Sequence, residues 1–403
     1  MALDIGQTAS QIDALASHAK GASDERRLAL ERMLHVMEKA TEADVAARLP
    51  VPNERPFMAA VPQEKLSTRH DPPATCADYC VASVDGSHID VDRHLPARCY
   101  LINLGSCALT YGEHPYARLE SEPRLYSSDD DLFLTLANAG GNEEAPIEGA
   151  LLGIKRAIRE VEGLASLAAS LPTGLPLLAL LDGSLVLWGL TGRGHPPFVR
   201  DLMIREGLLP ALDRLRSLAD GRPMAVAAYV SLPGSTEVVH TVRCLLCDKD
   251  AAHCKGTCSL YRSGPEPCNM ANGFNDRELF GAMLAPGQRS CLFATSSSIS
   301  REHYGQHHVY YYYLNAGEEL ARVEIPEWVA QDRERLELSH ALVLDQCRRG
   351  DGYPAAIMEA HEQAVIDGTD RELFRILVED ALGRQRLPVY TSEKNRSKRV
   401  PWV

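Results

Sequence analysis

The chain has 403 residues, 45% hydrophobic and 24% charged, with a formal net charge of −13. This composition excludes wholesale disorder, collagen and a coiled-coil fibre. The acidic balance argues against coating nucleic acid by bulk electrostatics, but not against a local basic channel or acidic residues gathered on divalent metals. No apolar run approaches the ~18 residues that span a bilayer, and the longest, around Leu175–Leu190, is broken by Asp182-Gly183-Ser184. The opening MALDIGQTAS lacks a basic patch followed by an apolar core, so the expectation is a cytoplasmic protein with no membrane contact. In a reducing compartment the eleven cysteines are thiols or metal ligands rather than a disulfide framework.

Helical spacing of Ile12, Leu15, Leu28, Met33 and Met37 predicts helix over 8–48. The proline-bearing stretch 51–73 reads as an irregular connection. Tyr79–Val84 is a β-prone run stopping at Asp85-Gly86-Ser87, and Cys99–Leu104 is the next strand of a meander. Tyr111–Glu144, polar and acidic, reads as a solvated loop. Ala145–Ser170 is a strong helix with Pro146 in its first turn. Leu175–Leu181 and Met224–Leu232 suit strands buried on both faces, with a helix at 197–218 between them. His308–Leu314 and Glu319–Ile325 pair around Asn315-Ala316-Gly317, and helices follow at 327–348, 354–367 and 370–382. Strands alternating with helices make the fold α/β.

The sharpest local feature is a doubled element, Val84-Asp85-Gly86-Ser87 and Leu181-Asp182-Gly183-Ser184. Each places a carboxylate where a buried strand emerges, the end at which open sheets build their sites. Two carboxylates on neighbouring strands repel unless a cation lies between them, and Mg²⁺ or Mn²⁺ is the natural guest for oxygen ligands. The competing account is a pair of ordinary Asp-Gly turns. In the 145–170 helix, Glu160 and Glu162 flank the apolar stripe. Glu162 sits nearer Ile158 and Ala165 and is the better placed to reach inward, unless both are solvated face residues. Near the C-terminus, Gly352-Tyr353-Pro354 opens a helix that carries His361 two turns further in, where it ligates a metal, handles a proton or simply packs.

These residues together resemble the NurA nucleases, partners of the HerA hexameric ATPase. The resemblance runs from about Val81 to Arg371. It rests on both Asp-Gly-Ser elements, Tyr229-Val230-Ser231-Leu232-Pro233, Arg289-Ser290, Arg322-Val323-Glu324-Ile325-Pro326-Glu327-Trp328, and Gly352-Tyr353-Pro354 followed by Ala360-His361. It implies an RNase H-like core, a mixed sheet flanked by helices, with catalytic residues Asp85, Glu162 (Glu160 as the alternative), Asp182, Tyr353 and His361. Asp85, Asp182 and His361 would ligate two Mn²⁺ or Mg²⁺ ions. It further implies Mn²⁺-dependent 5′-to-3′ exonuclease and single-strand endonuclease activity on DNA, in end processing or phage defence, by a homodimer docked on a HerA-like hexameric ATPase. The sequence has no Gly-x-x-x-x-Gly-Lys-Ser/Thr element, which fits reliance on a separate motor. Two rival readings are a non-cleaving adaptor on that motor and an actin-like nucleotide-binding protein.

The resemblance divides the chain into an N-terminal helical segment and linker (1–75), a first part of the core (76–240), a Cys-rich insertion (241–275), a second part of the core with C-terminal helices (276–385) and a basic tail (386–403). The insertion holds Cys244, Cys247, Cys254, Cys258 and Cys268, with His240 and His253 nearby. Their spacing suits a structural Zn²⁺ or an iron–sulfur cluster, or else reduced unliganded thiols. Arg322 beside Glu324, Arg348-Arg349 and the tail's Lys394, Arg396, Lys398 and Arg399 are candidates for phosphate contact, with structural ion pairs and solubility as the alternatives.

Overall fold

The computed structural model describes residues 4–21, 23–49, 57–91, 97–138, 141–192, 194–247 and 267–387. Within them the strands are β1 (Val61–Pro62), β2 (Arg69–His70), β3 (Tyr79–Ile89), β4 (Tyr100–Tyr111), β5 (Tyr116–Tyr126), β6 (Phe133–Asn138), β7 (Gly141–Pro146), β8 (Leu177–Asp182), β9 (Met224–Val230), β10 (Arg289–Ser290), β11 (Phe293–Ala294), β12 (Val309–Asn315) and β13 (Leu320–Pro326). All but the β6–β7 hairpin join one mixed sheet, whose main path is β1-β11-β12-β13-β9-β8-β3-β4-β5. β3 pairs with β8 and β8 with β9 in parallel; β3-β4-β5 is an antiparallel meander. The innermost strands, LLALLD and MAVAAYV, are apolar on both faces because helices cover both faces.

The Ala150–Ala169 helix packs on β3, β4 and β8 through Leu151, Ile154, Ile158, Val161, Ala165 and Ala168. The Ala355–Ala364 helix crosses β3 and β4 on the other face. Alternation along β3 separates the two: Gly86 faces the first helix, while Asp85, paired with Gly105, faces the second. Gly105 permits that crossing, since an added Cβ would lie 2.2 Å from the Ala360 carbonyl oxygen. A second core joins Met33, Met37 and Val45 of the N-terminal helices to Val238, Phe280, Phe293 and Tyr311. β1 and β2, from the N-terminal segment, thus belong to the same sheet as the rest.

Several elements differ from the sequence expectations. The 8–48 region forms three helices, Ile5–Gly21, Ser23–Lys39 and Glu42–Arg48, the last begun by a Thr41 capping box. β3 continues through Asp85-Gly86-Ser87 to Ile89, because β4 pairs with it along its whole length. The 111–144 region is not a loop: it holds β5, a short helix at Asp129–Leu132 and most of the β6–β7 hairpin. β5 is an exposed edge strand held by backbone pairing to β4, so no apolar alternation marks it. Pro146 closes β7 rather than opening the helix, which starts after Gly149 with its φ of +55°. The 197–218 helix contains a π-helical turn at Met203–Leu208, and the 327–348 region breaks at Asp332, which caps Arg333–Arg349. Among the described residues no helix is long and apolar enough to cross a membrane.

Candidate active site

β3 and β8 run side by side in parallel, and their last paired residues are Val84 and Leu181. The next residue on each strand is an aspartate: Asp182 is the last residue of β8, and Asp85 follows Val84 where β3 runs on past the end of its pairing with β8. Gly183, at φ +83°, turns the chain away immediately after Asp182. Only glycine takes that conformation without steric penalty.

Two residues from the C-terminal part hold these carboxylates. Tyr353 Oη donates to Asp182 Oδ1 at 2.8 Å. His361 Nδ1 lies 2.7 Å from Asp85 Oδ2. Asp85 Oδ1 accepts from the Gly86 N–H at 2.8 Å. A carboxylate only accepts, so His361 Nδ1 carries the hydrogen, and in the neutral ring Nε2 is left with a free lone pair. Tyr353 is delivered by a tight turn through Asp351 (φ +56°) and Gly352 (φ +105°), and its ring packs edge-on against Tyr229 at 5.4 Å. Pro354 caps the helix that carries His361. The two polar side chains therefore sit on a turn and a helix whose geometry is fixed independently of the carboxylates.

The third carboxylate is Glu160. It comes from the Ala150–Ala169 helix, on the far face of β3, and reaches the strand where Gly86 offers no side chain; a Cβ there would lie 2.6 Å from Glu160 Oε1. Arg156 Nε is 3.1 Å from Oε1, but its N–H is not directed at that oxygen, which has no hydrogen bond. Burial, reinforced by the charges of Asp85 and Asp182 and opposed by Arg156, pushes the Glu160 carboxyl up to about 8. Asp182 is exposed yet crowded. Desolvation raises its carboxyl, the Tyr353 hydrogen bond lowers it and Asp85 raises it again. The charge of Asp85 thus raises both Glu160 and Asp182, and Asp182 also raises Glu160, as groups sharing one site do.

Glu162, favoured from the sequence, is not among them. It pairs with Arg159 and lines a different cleft, with Arg118 and Arg214. The helix itself carried only part of the signal that separates the two glutamates, since Ile158 and Ala165 beside Glu162 are also buried. Glu160 shares a row with Leu164 and Leu167, both buried, whereas the residue one turn beyond Glu162 is the exposed Ser166.

Of the Cys-rich segment, Cys254 and Cys258, with His253, lie outside the described residues. Cys244 is buried, and Cys247 and Cys268, distant in sequence, pack against each other. Arg322 proves to be a buried structural ion pair, 2.7 Å from Glu237 and 2.9 Å from Glu324. Arg349 pairs with Asp345 at 2.5 Å. The four basic tail residues lie outside the described region.

Among the described residues no three His, Cys, Asp or Glu side chains close on a single point at ion-binding distance. The donor chemistry nonetheless suits a hard divalent cation: the charges of Asp85 and Asp182 reach the carboxyl of Glu160, and an oxygen of that buried carboxyl lacks a hydrogen-bond partner. A sequence model of the NurA domain matches residues 80–366, from the start of β3 to just beyond His361, and so takes in the whole site. No curated protein matches the chain. This chain, an α/β protein built on a large mixed sheet flanked by helices, belongs to the NurA family, whose domain is associated with nuclease activity.

Proposed function

We propose that the chain is a metal-dependent deoxyribonuclease, using Mn²⁺ or Mg²⁺ in a site of two ions. The observation that carries this reading is the approach of Asp85, Asp182 and Glu160 where β8 ends beside β3, with Tyr353 and His361 on the aspartate oxygens. The β5-β4-β3-β8-β9 order, antiparallel on one side of β3 and parallel on the other, supports an RNase H-like core.

Asp85, Asp182 and Glu160 would hold the ions, with His361 Nε2 as a further ligand. Divalent cations bound there supply an activated water and neutralise charge on the scissile phosphate. Tyr353 fixes the orientation of Asp182 by donating to Oδ1. Where His361 Nε2 does not bind an ion, this exposed side chain, oriented by Asp85, is the alternative group to accept a proton from the attacking oxygen or return one to the leaving oxygen. Gly86 leaves the space through which Glu160 reaches the two aspartates.

The reading extends to 5′-to-3′ exonuclease and single-strand endonuclease action by a homodimer beside a HerA-like hexameric ATPase. The absence of a phosphate-binding loop in this chain supports a separate motor. The contact of Cys247 with Cys268 supports a structural Zn²⁺ or iron–sulfur cluster, to be checked by elemental analysis after anaerobic purification.

The decisive experiment incubates the protein with end-labelled single- and double-stranded DNA, with Mn²⁺ or Mg²⁺, with and without a motor. Cutting that stops with chelator and is missing in Asp85→Ala and Asp182→Ala is the expected result. Undiminished cutting by both variants would remove these residues from the chemistry.

A further inference from the structure

The Tyr353 hydroxyl holds Asp182, so the aim of that carboxylate depends on what holds Tyr353. Asp182 is the register partner of Tyr229 on β9, and paired residues of adjacent strands present their side chains to the same face of the sheet. Tyr229 is therefore the lateral neighbour of Asp182, and it is fully buried. It meets the site at two points. Its carbonyl accepts the Gly183 N–H at 2.9 Å, which fixes the turn that follows Asp182. Its ring meets the Tyr353 ring edge-on, with centroids 5.4 Å apart.

Tyr229 is anchored in turn at its far end. Its hydroxyl donates to Glu319 Oε1 at 2.6 Å, and Ser231, just past the end of β9, donates to Glu319 Oε2 at 2.6 Å. Hydrogen bonds to a carboxylate are shorter and stronger than neutral ones, so the phenol end of Tyr229 has one defined position. Glu319 belongs to the turn between β12 and β13. That turn is closed by the Ala316 N–H on the Glu319 carbonyl at 2.9 Å and by Gly317 at φ +106°. The preceding residue, Glu318, packs against the turn that delivers Tyr353: a Cβ on Gly352 would lie 3.0 Å from the Glu318 Cβ. Two consecutive residues of one hairpin turn thus brace Tyr353, Glu318 directly beneath Gly352 and Glu319 through Tyr229.

We infer that Glu319 is a positioning residue for the divalent-cation site: it fixes Tyr229, Tyr229 fixes Tyr353, and Tyr353 fixes the orientation in which Asp182 meets the ion. The inference rests on the nuclease reading and deepens it, because it makes the β12–β13 hairpin a working part of a site whose carboxylates come from elsewhere. Aim matters here because a carboxylate ligand held by an outer partner loses metal affinity when that partner is removed.

The test measures Mn²⁺ affinity of the full chain by isothermal titration calorimetry, without DNA. Tyr229→Phe keeps the ring and deletes its anchor, and Glu319→Ala deletes the acceptor; each should weaken Mn²⁺ binding about tenfold. Glu319→Gln should recover part of that loss, because its amide carbonyl still accepts from Tyr229. In a Tyr353→Phe background no hydroxyl is left to aim, so Tyr229→Phe should cost nothing further. Should Tyr229→Phe misfold, Ser231→Ala, at an exposed position on the same carboxylate, should give a smaller loss that Tyr353→Phe likewise masks. Wild-type affinity in Tyr229→Phe and Glu319→Ala, losses that multiply with Tyr353→Phe, or a Glu319→Gln as weak as Glu319→Ala would each overturn the inference. If wild-type protein cuts DNA but lacks the masked pattern, the positioning role falls alone. If the pattern is present but no DNA is cut with Mn²⁺, the nuclease reading falls alone; if the wild type binds no Mn²⁺, both fall.

Discussion

Two clusters of charge lie on either side of Ser184, and they are built in opposite ways. Around Arg322 a single cation stands between Glu237 and Glu324, and nearly every polar atom has a partner. Around Gly86 three acids crowd together with one imperfectly aimed arginine, and Glu160 is forced to a raised pKa. Mixed charge that satisfies itself belongs to the architecture. Like charge left uncompensated is a standing electrostatic cost that a binding partner of opposite sign relieves, and such sites concentrate function. The contrast explains why the buried Arg-Glu pair, which from sequence suited a DNA path as well as an ion pair, serves to hold β13, the 237–246 helix and the loop after β8 in register.

The largest expected effects come from neutralising the acidic cluster. Asp85→Asn, Asp182→Asn and Glu160→Gln should each abolish metal-dependent cutting of labelled DNA. Above about pH 8, where Glu160 is ionised, their melting temperatures without divalent ions should be equal to or above wild type, because each then removes repulsion. Loss of cutting accompanied by marked destabilisation would mean that the cluster is architectural after all. Gly86→Ala should be as damaging as Glu160→Gln, since the methyl group would occupy the space of Glu160 Oε1. Tyr353→Phe deletes only the hydrogen bond that orients Asp182, and an outer-shell contact of that kind typically accounts for about 10- to 100-fold in rate or metal affinity.

The mixed cluster should answer in the opposite way. Arg322→Met leaves two buried carboxylates facing each other, and removing one partner of a buried pair costs about 3–5 kcal/mol. Urea unfolding measures this directly, and a loss below about 1 kcal/mol would show that water reaches the triad. Close by, Asp276 is wholly buried, with its carboxyl pushed up to about 6, chiefly by burial. The folded state then holds the proton more tightly than the unfolded chain, whose value is 3.8. This contribution to stability is complete below the unfolded value and is lost as pH rises through about 6. Relative to Asp276→Asn, wild type should lose up to about 3 kcal/mol between about pH 4 and pH 7. A difference that does not change with pH would mean that Asp276 stays ionised throughout.

Much of this was legible in the chain. The buried strands β8 and β9 were written in continuous apolar runs, and the doubled Asp-Gly-Ser marked both aspartates, although only Asp182 ends its strand and β3 runs on past Asp85. Tyr353 and His361 carried no periodic signal: the helix start at Pro354 drew notice to them, and likeness to a known family is what tied them to the two aspartates. What stayed hidden depends on partners distant in sequence. β5 is exposed along almost its whole length and exists because β4 hydrogen-bonds to it, so burial left no trace in its residues. Pro146 fits a helix start and a strand end equally well, and the hairpin decided between them. The choice between Glu160 and Glu162 turned on Gly86, a residue of another element entirely.

That choice also yields the smallest predicted effect and the sharpest control. Glu162 meets Arg159 on a partly exposed face, and such a pair is worth about 0–1 kcal/mol. Glu162→Gln should therefore leave stability within that range, and cutting within about twofold, because a lost surface pair does not reach the reacting atoms. Glu160→Gln, two residues away, should be inactive. The two variants make the same replacement of a carboxyl by its amide on the same helix, so what separates them is the direction in which each side chain points. If Glu162→Gln were the inactive one, the helix would have to be rotated by about half a turn, and Gly86 would face a solvated residue with no reason to lack a side chain.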